Sequence, residues 1–234
     1  MKQSLFFTVA TMAAASLLAA DSTPKDDLIA AAKALAAKGY SWKMTIETGN
    51  FSNTSEGQAD KDGLVHFSLT FGDNTTEVFF KGEKGAVKLP DQDWQSLADL
   101  TADNGGQRGR GRFMGRMLRN LKAPAAQVEE LAGKTKEIRK EGSTYTAELT
   151  EAAIKDLLSF GGRRGGNAPD ISNAKGTVRI SLRDGLLSKY ELKLQATMTF
   201  NGQDQDISPT TTIEIRGVGR TSLDVPPEAK EKLS

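Results

Sequence analysis

Hydrophobic residues change period several times along the chain, and each change marks an element. Over residues 25–38, Leu28, Ala31, Ala32, Leu35 and Ala36 recur at helical spacing, with Pro24 before them and Gly39 after. That punctuation predicts an amphipathic helix. The period then drops to two. In Tyr40–Thr48, Trp42, Met44 and Ile46 alternate with Ser41, Lys43, Thr45 and Glu47. In Leu64–Phe71, Val65, Phe67, Leu69 and Phe71 alternate with His66, Ser68 and Thr70. Thr76–Lys81, with Phe80, and Ala86–Leu89 continue the alternation. Asp62-Gly63, Gly72-Asp73-Asn74 and Gly82-Glu83-Lys84-Gly85 separate these runs with turn chemistry. Strands joined so tightly form an antiparallel meander with one buried face.

The second half repeats the scheme with interruptions. A short helix is expected in 91–102, capped by Asp91 or Asp93, and helical spacing returns at Phe113–Leu121 and Pro124–Leu131. Thr135–Gly142 and Ser143–Leu149 read as a hairpin. Thr150–Phe160 reads as a helix through Ala153, Leu157 and Leu158. Three strands follow, carrying Val178, Ile180 and Leu182, then Tyr190, Leu192, Leu194, Ala196, Met198 and Phe200, then Thr211, Ile213 and Ile215. Pro226-Pro227 opens a last short helix. The expectation is an α+β fold: about eight strands in a single large, curved antiparallel sheet, with four or five helices packed on its apolar face. Two Gly/Arg-rich connections, 103–124 and 161–173, exceed ordinary loop lengths.

The N-terminus adds an address. Lys2 precedes an uncharged, mostly apolar run from Leu5 to Ala20, and Asp21 begins a polar stretch. This is the pattern of a secretory signal peptide over residues 1–20, so residues 21–234 are expected to form one exported, soluble domain, periplasmic or extracellular. Three glycosylation sequons begin at Asn50, Asn53 and Asn74 and matter only in a host that modifies such sites.

Composition narrows the chemistry. The 234 residues hold 31 Lys+Arg, 30 Asp+Glu, one His and no Cys. Disulfides, thiolate metal sites, Cys nucleophiles and N-terminal lipidation on Cys are excluded. No phosphate-binding loop of the GxxxxGK[ST] form and no GxSxG elbow occur. Asp60-Lys61-Asp62-Gly63 and Asp204-Gln205-Asp206 do not complete a calcium loop and read as hairpin turns. His66 alternates with Val65 and Phe67, so it faces away from the core. With one His and no motif around it, the chain reads as a non-enzyme with no cofactor and no metal.

A family resemblance rests on the order of elements and on short motifs. These are Tyr40-Ser41-Trp42, Asp62-Gly63, Lys88-Leu89-Pro90 to Asp93-Trp94, Lys175-Gly176-Thr177-Val178, Asp184-Gly185-Leu186-Leu187-Ser188-Lys189-Tyr190, and the stretch from Ile213 to Val225 ending in Pro226-Pro227-Glu228-Ala229. Over most of 25–234 the chain resembles the exported LolA/LppX-like half-barrel proteins, which include periplasmic lipoprotein carriers and mycobacterial lipid-binding lipoproteins. The resemblance implies an incomplete barrel whose concave apolar face is covered by helices, with acyl chains held between. The lipidation Cys of the mycobacterial members is absent here, and the two Gly/Arg stretches are not part of the family pattern.

Two sets of residues are candidates for function. Trp42, Met44, Ile46, Phe67, Leu69, Phe71, Phe80, Tyr190, Leu192 and Met198 share one sheet face, which holds either an apolar pocket for a lipid or other amphiphile or a core filled by the helices. Arg108, Arg110, Arg112, Arg116 and Arg119, with no acid between Gly105 and Lys122, and the pair Arg163 and Arg164, present guanidinium groups suited to phosphate or carboxylate. They suit lipid headgroups or an anionic membrane surface, with a solvated loop as the other reading. The leading expectation is an exported amphiphile-binding or carrier protein. The alternative is a protein with a solid core that binds a polyanion or partner through its Gly/Arg segments, without specific nucleic-acid recognition. Nothing in the sequence sets the oligomeric state.

Overall fold

The computed structural model describes residues 22–102, 110–159, 170–200 and 202–234. The expected signal peptide, Arg108, Arg163 and Arg164 lie outside the described residues, as do the side chains of Phe71, Arg110, Arg112 and Arg116. Among the described residues no helix is long and apolar enough to cross a membrane.

Helix α1 (Pro24–Ala36) starts where its punctuation places it. The Thr23 hydroxyl accepts the Asp26 N–H at 3.2 Å, and the Asp26 carboxylate accepts the Thr23 N–H at 3.2 Å. This reciprocal capping satisfies two backbone donors at once. A meander follows: β1 (Tyr40–Thr48), β2 (Phe51–Ala59), β3 (Leu64–Phe71), β4 (Asn74–Lys81), β5 (Lys84–Lys88) and the two-residue β6 (Gln95–Ser96). Three helices come next: α2 (Leu97–Thr101), α3 (Arg110–Arg119) and α4 (Pro124–Gly133). The chain then forms β7 (Thr135–Glu141), β8 (Thr144–Leu149) and α5 (Glu151–Leu158). It ends with β9 (Asp170–Arg183), β10 (Leu186–Phe200), β11 (Gln203–Ile207), β12 (Thr210–Arg216) and α6 (Pro227–Lys232).

All strands join one antiparallel sheet in the order β6-β5-β4-β3-β2-β1-β12-β10-β9-β8-β7, with β11 paired to β10. The last strand fuses the two meanders, because β12 lies between β1 and β10. The sheet is open, with β6 and β7 at its edges. One edge is only two residues long and the other, Thr-Lys-Glu-Ile-Arg-Lys-Glu, is heavily charged. Both features discourage edge-to-edge pairing.

Among the described residues the sheet has twelve strands, not about eight. The strands that hydrophobic alternation does not reveal are β2, β6 and β11. Strand β2 reads Phe-Ser-Asn-Thr-Ser-Glu-Gly-Gln-Ala and carries no aliphatic side chain larger than Ala. Its place in the sheet comes from full-length pairing with β1 and from small residues that leave room for a neighbour. The Trp42 ring lies over Gly57, where an added Cβ would stand 2.1 Å from Trp42 Cζ2. Strand β11 is held to β10 by Asp204 and Asp206, which accept the Thr199 and Thr197 hydroxyls at 2.7 and 2.8 Å.

Register puts the apolar residues in rows across one face. Trp42, Gly57, Phe67, Val78 and Val87 form one row through β1 to β5. Ile213, Tyr190, Ile180 and Tyr145 form another through β12, β10, β9 and β8. Against this face pack Leu28, Ala32 and Leu35 of α1, Val128 and Leu131 of α4, and Ile154 and Leu158 of α5. Leu97 of α2 and Leu118 of α3 join the same core. The opposite face carries a small second core, in which Phe79 and Ala86 meet Val225 and Ala229 of the C-terminal segment.

Candidate functional site

Three tyrosines on the sheet fasten helices to it. The Tyr40 hydroxyl accepts the Ala125 N–H at 3.1 Å, in the first turn of α4, where backbone donors lack helical partners. Burial pushes the Tyr40 phenol up to about 12, only partly opposed by that N–H. The Tyr190 hydroxyl donates to Gln127 Oε1 at 2.5 Å, and burial holds this phenol well above its ordinary value. Tyr145 donates to Asp27 Oδ2 of α1 at 3.0 Å, where Lys140 also donates at 2.6 Å. Hydrogen bonds from Lys140, Ser22 and Tyr145 lower the Asp27 carboxyl to about 2.

These struts and the aliphatic helix faces fill one part of the apolar face. Of the residues expected to line a pocket, Trp42, Phe67, Leu69, Tyr190, Leu192 and Met198 are all buried, the most exposed at 7%. Met44 and Phe80 are partly buried against the same core, and Ile46 is half-buried at the side of the hairpin it leads into. Position 71 closes β3 opposite Asn74.

A different part of the face is not filled by the described residues. At the end of the sheet marked by the β2–β3 and β4–β5 turns, a cleft of about 960 Å³ opens between β3–β5 and helices α2 to α4. Val65, Phe67 and Phe80 form its sheet wall, and Leu97 and Leu121 its helical wall, with Ala126 of α4 beside them. Lys84, Arg119, Lys122 and Lys232 line it with charge, and Glu83 is the acidic side chain among the described lining residues. Helix α3 approaches α2 closely at Gly115, where a Cβ would stand 2.3 Å from Thr101 Cγ2. Arg119 Nη2 donates to Thr101 Oγ1 at 2.7 Å, which ties the end of α3 to α2 at the cleft. Lys122 pairs with Glu130, which also receives Lys134 at 2.7 Å. Burial pushes the Glu130 carboxyl up, but hydrogen bonds from both lysines outweigh it and leave the group below the usual carboxylate range.

The expected pocket residues thus divide: Phe67 and Phe80 reach the cleft, whereas the others named above do not line it. Of the expected arginines, Arg119 is the one that the described residues bring to the cleft. Spacing puts backbone positions 112, 116 and 119 on one stripe of α3, off the side of buried Leu118. Val65, an alternating position of β3, also lines the site; Lys84, Lys122, Lys232, Leu97 and Leu121 complete it, and alternation alone does not single them out. Lys84 belongs to a turn signal, and Lys232 to a terminal helix without chemistry of its own.

His66 does lie on the face opposite the main core, yet it is not a bare surface residue. It stacks on Phe79 with ring centroids 4.4 Å apart, and its Nε2 lies 2.5 Å from Glu77 Oε2. Ser68 Oγ donates to the other Glu77 oxygen at 2.8 Å. Glu77 bridges both partners, so His66 and Ser68 are not aligned as base and nucleophile, an arrangement that needs their mutual contact. Among the described residues, no three His, Asp or Glu side chains are grouped to hold a metal ion.

No protein-family model matches the chain, and no curated protein matches it in sequence. Among solved structures, the chain is similar to a DUF1329 family protein from Desulfovibrio piger. The two share 10% identity over 88% of this chain and 96% of that one, with a TM-score of 0.34.

Proposed function

We propose that the protein is an exported, non-enzymatic amphiphile-binding or carrier protein. Its open sheet would curve as a LolA/LppX-like half-barrel with helices over the concave face. The observation that supports this reading is the cleft of about 960 Å³, whose apolar wall continues the main core and whose charged lining groups, among the described residues, are mostly cationic. Ligand pockets of small amphipathic molecules have this volume and this mixture of apolar wall and few polar groups. The ligand's tail would lie against Val65, Phe67, Phe80, Leu97 and Leu121. The Gly/Arg stretches at 103–124 and 161–173 would meet headgroups or an anionic membrane surface. Removal of residues 1–20 would release the domain from Asp21 onward.

Native mass spectrometry of the purified protein tests this directly. The reading expects a co-purifying amphiphile, and expects the delipidated protein to take up a fluorescent long-chain fatty acid. A protein that carries no such molecule and binds no such probe rules the reading out. The intact mass also reports whether the chain begins at Asp21.

A further inference from the structure

Lys84 at the start of β5, Arg119 at the end of α3, Lys122 in the link to α4 and Lys232 at the end of α6 come from four separate elements. Among the described residues, they line one cleft together with a single acidic side chain, Glu83. Lys122 already has a carboxylate partner in Glu130, and Arg119 spends one of its donors on Thr101. Lys84 and Lys232 have no ion-pair partner among the described residues. Gathering like charges around a shared concave space raises the free energy of the unliganded protein, and an anion placed among them relieves it. Hydrogen bonds from such cations to an anion are also stronger than those to a neutral group.

Resting on the amphiphile reading above, we infer that the cleft selects amphiphiles with an anionic head, a carboxylate or a phosphate monoester, and that Lys84 and Lys232 hold that head. Phe67 and Phe80 take the adjoining part of the tail. Arg119 and Lys122 add positive potential but are anchored by their own partners, so they steer the head more than they clasp it. The site would therefore discriminate by charge at one end and accept varied tails at the other.

The test compares a fluorescent long-chain fatty acid with its uncharged primary amide on the same purified protein at neutral pH. The inference expects the acid to bind about tenfold more tightly than the amide. It expects the Lys84→Gln/Lys232→Gln double variant to bind acid and amide alike, with amide affinity unchanged. Added salt should weaken the acid and spare the amide. Equal binding of acid and amide by the unaltered protein overturns the inference and leaves the amphiphile reading standing. A tenfold preference that survives in the double variant overturns the assignment to these two lysines. Inorganic phosphate alone should not displace the acid; displacement by it would assign the four cations to free anions instead. Failure of both probes to bind removes the amphiphile reading itself.

Discussion

The apolar face of the sheet is covered in two different ways. Over β1 and β8–β12, helices α1, α4 and α5 present Leu28, Leu35, Leu131, Ile154 and Leu158, all at most 2% exposed. Over β3–β5, the covering helices are α2, five residues of Leu-Ala-Asp-Leu-Thr, and α3, whose ten residues include four arginines. The first set has enough aliphatic volume to meet Tyr190, Leu192 and Ile180 without a gap. The second contributes chiefly Leu97 and Leu118 to the core and leaves Phe80 and Val65 only partly covered. The same kind of sheet face thus ends as solid core on one side and as a cleft on the other. The composition of the short helices decides which, because protein interiors otherwise pack to crystal-like density.

If this contrast is right, truncations should cost very different amounts on the two sides. Leu28→Ala should lose about 2–5 kcal/mol of stability by leaving a cavity under α1. Leu121→Ala, on the cleft wall, should lose about 1 kcal/mol or less. Urea unfolding of both variants measures the contrast, and equal losses would remove it. Added bulk should sort the same way. Gly57→Ala places a methyl group inside the Trp42 ring and should cost about 1–3 kcal/mol. Gly85→Ala, whose Cβ would stand 3.0 Å or more from Leu97 and Phe80 beside open space, should cost less.

Removing a strut is a smaller perturbation. Tyr190→Phe deletes the donor to Gln127 and should cost about 1–2 kcal/mol, measured by the same unfolding curves. The smallest effect is expected at the first turn of α1, where half-buried Asp27 meets Lys140 and Tyr145. The Asp27 carboxyl, lowered to about 2 in the folded protein, has an ordinary value of about 3.9 when the chain is unfolded. Its contribution to stability is therefore complete above the unfolded value and is lost as pH falls toward 2. Asp27→Asn should lower stability at neutral pH and flatten the stability profile between these two values. A profile with unchanged slope in that window would contradict the role given to the Lys140 and Tyr145 contacts.

Much of the architecture was legible because its signals are local. Thr23-Pro24, Ala123-Pro124 and Thr150 start helices for reasons that lie within a few residues of each start, and the structure begins α1, α4 and α5 there. Alternation marked β1, β3, β10 and β12. It missed β2 because a strand crossed by the Trp42 ring needs small residues and gains nothing from aliphatic ones. It also misplaced the cap of α2: Asp91 sits in a left-handed turn at φ 58°, and the Ser96 hydroxyl accepts the Asp99 N–H at 3.0 Å instead. The site was half legible. Phe67 and Phe80 were visible as sheet residues, and Arg119 as part of a basic run. Which part of the face stays open depends on how helices distant in sequence share it, and Lys84 and Lys232 meet only through that packing.

The central claim is that the cleft, not the filled face, takes the ligand. Ala126 is exposed on α4 and lines the cleft, so Ala126→Trp fills the space without disturbing the core. Ile154→Val trims the filled side by one methylene at α5. Binding of a fluorescent long-chain fatty acid to the two variants is the decisive measurement. The account predicts roughly tenfold weaker binding in Ala126→Trp and unchanged binding in Ile154→Val. Full-strength binding by Ala126→Trp would contradict it.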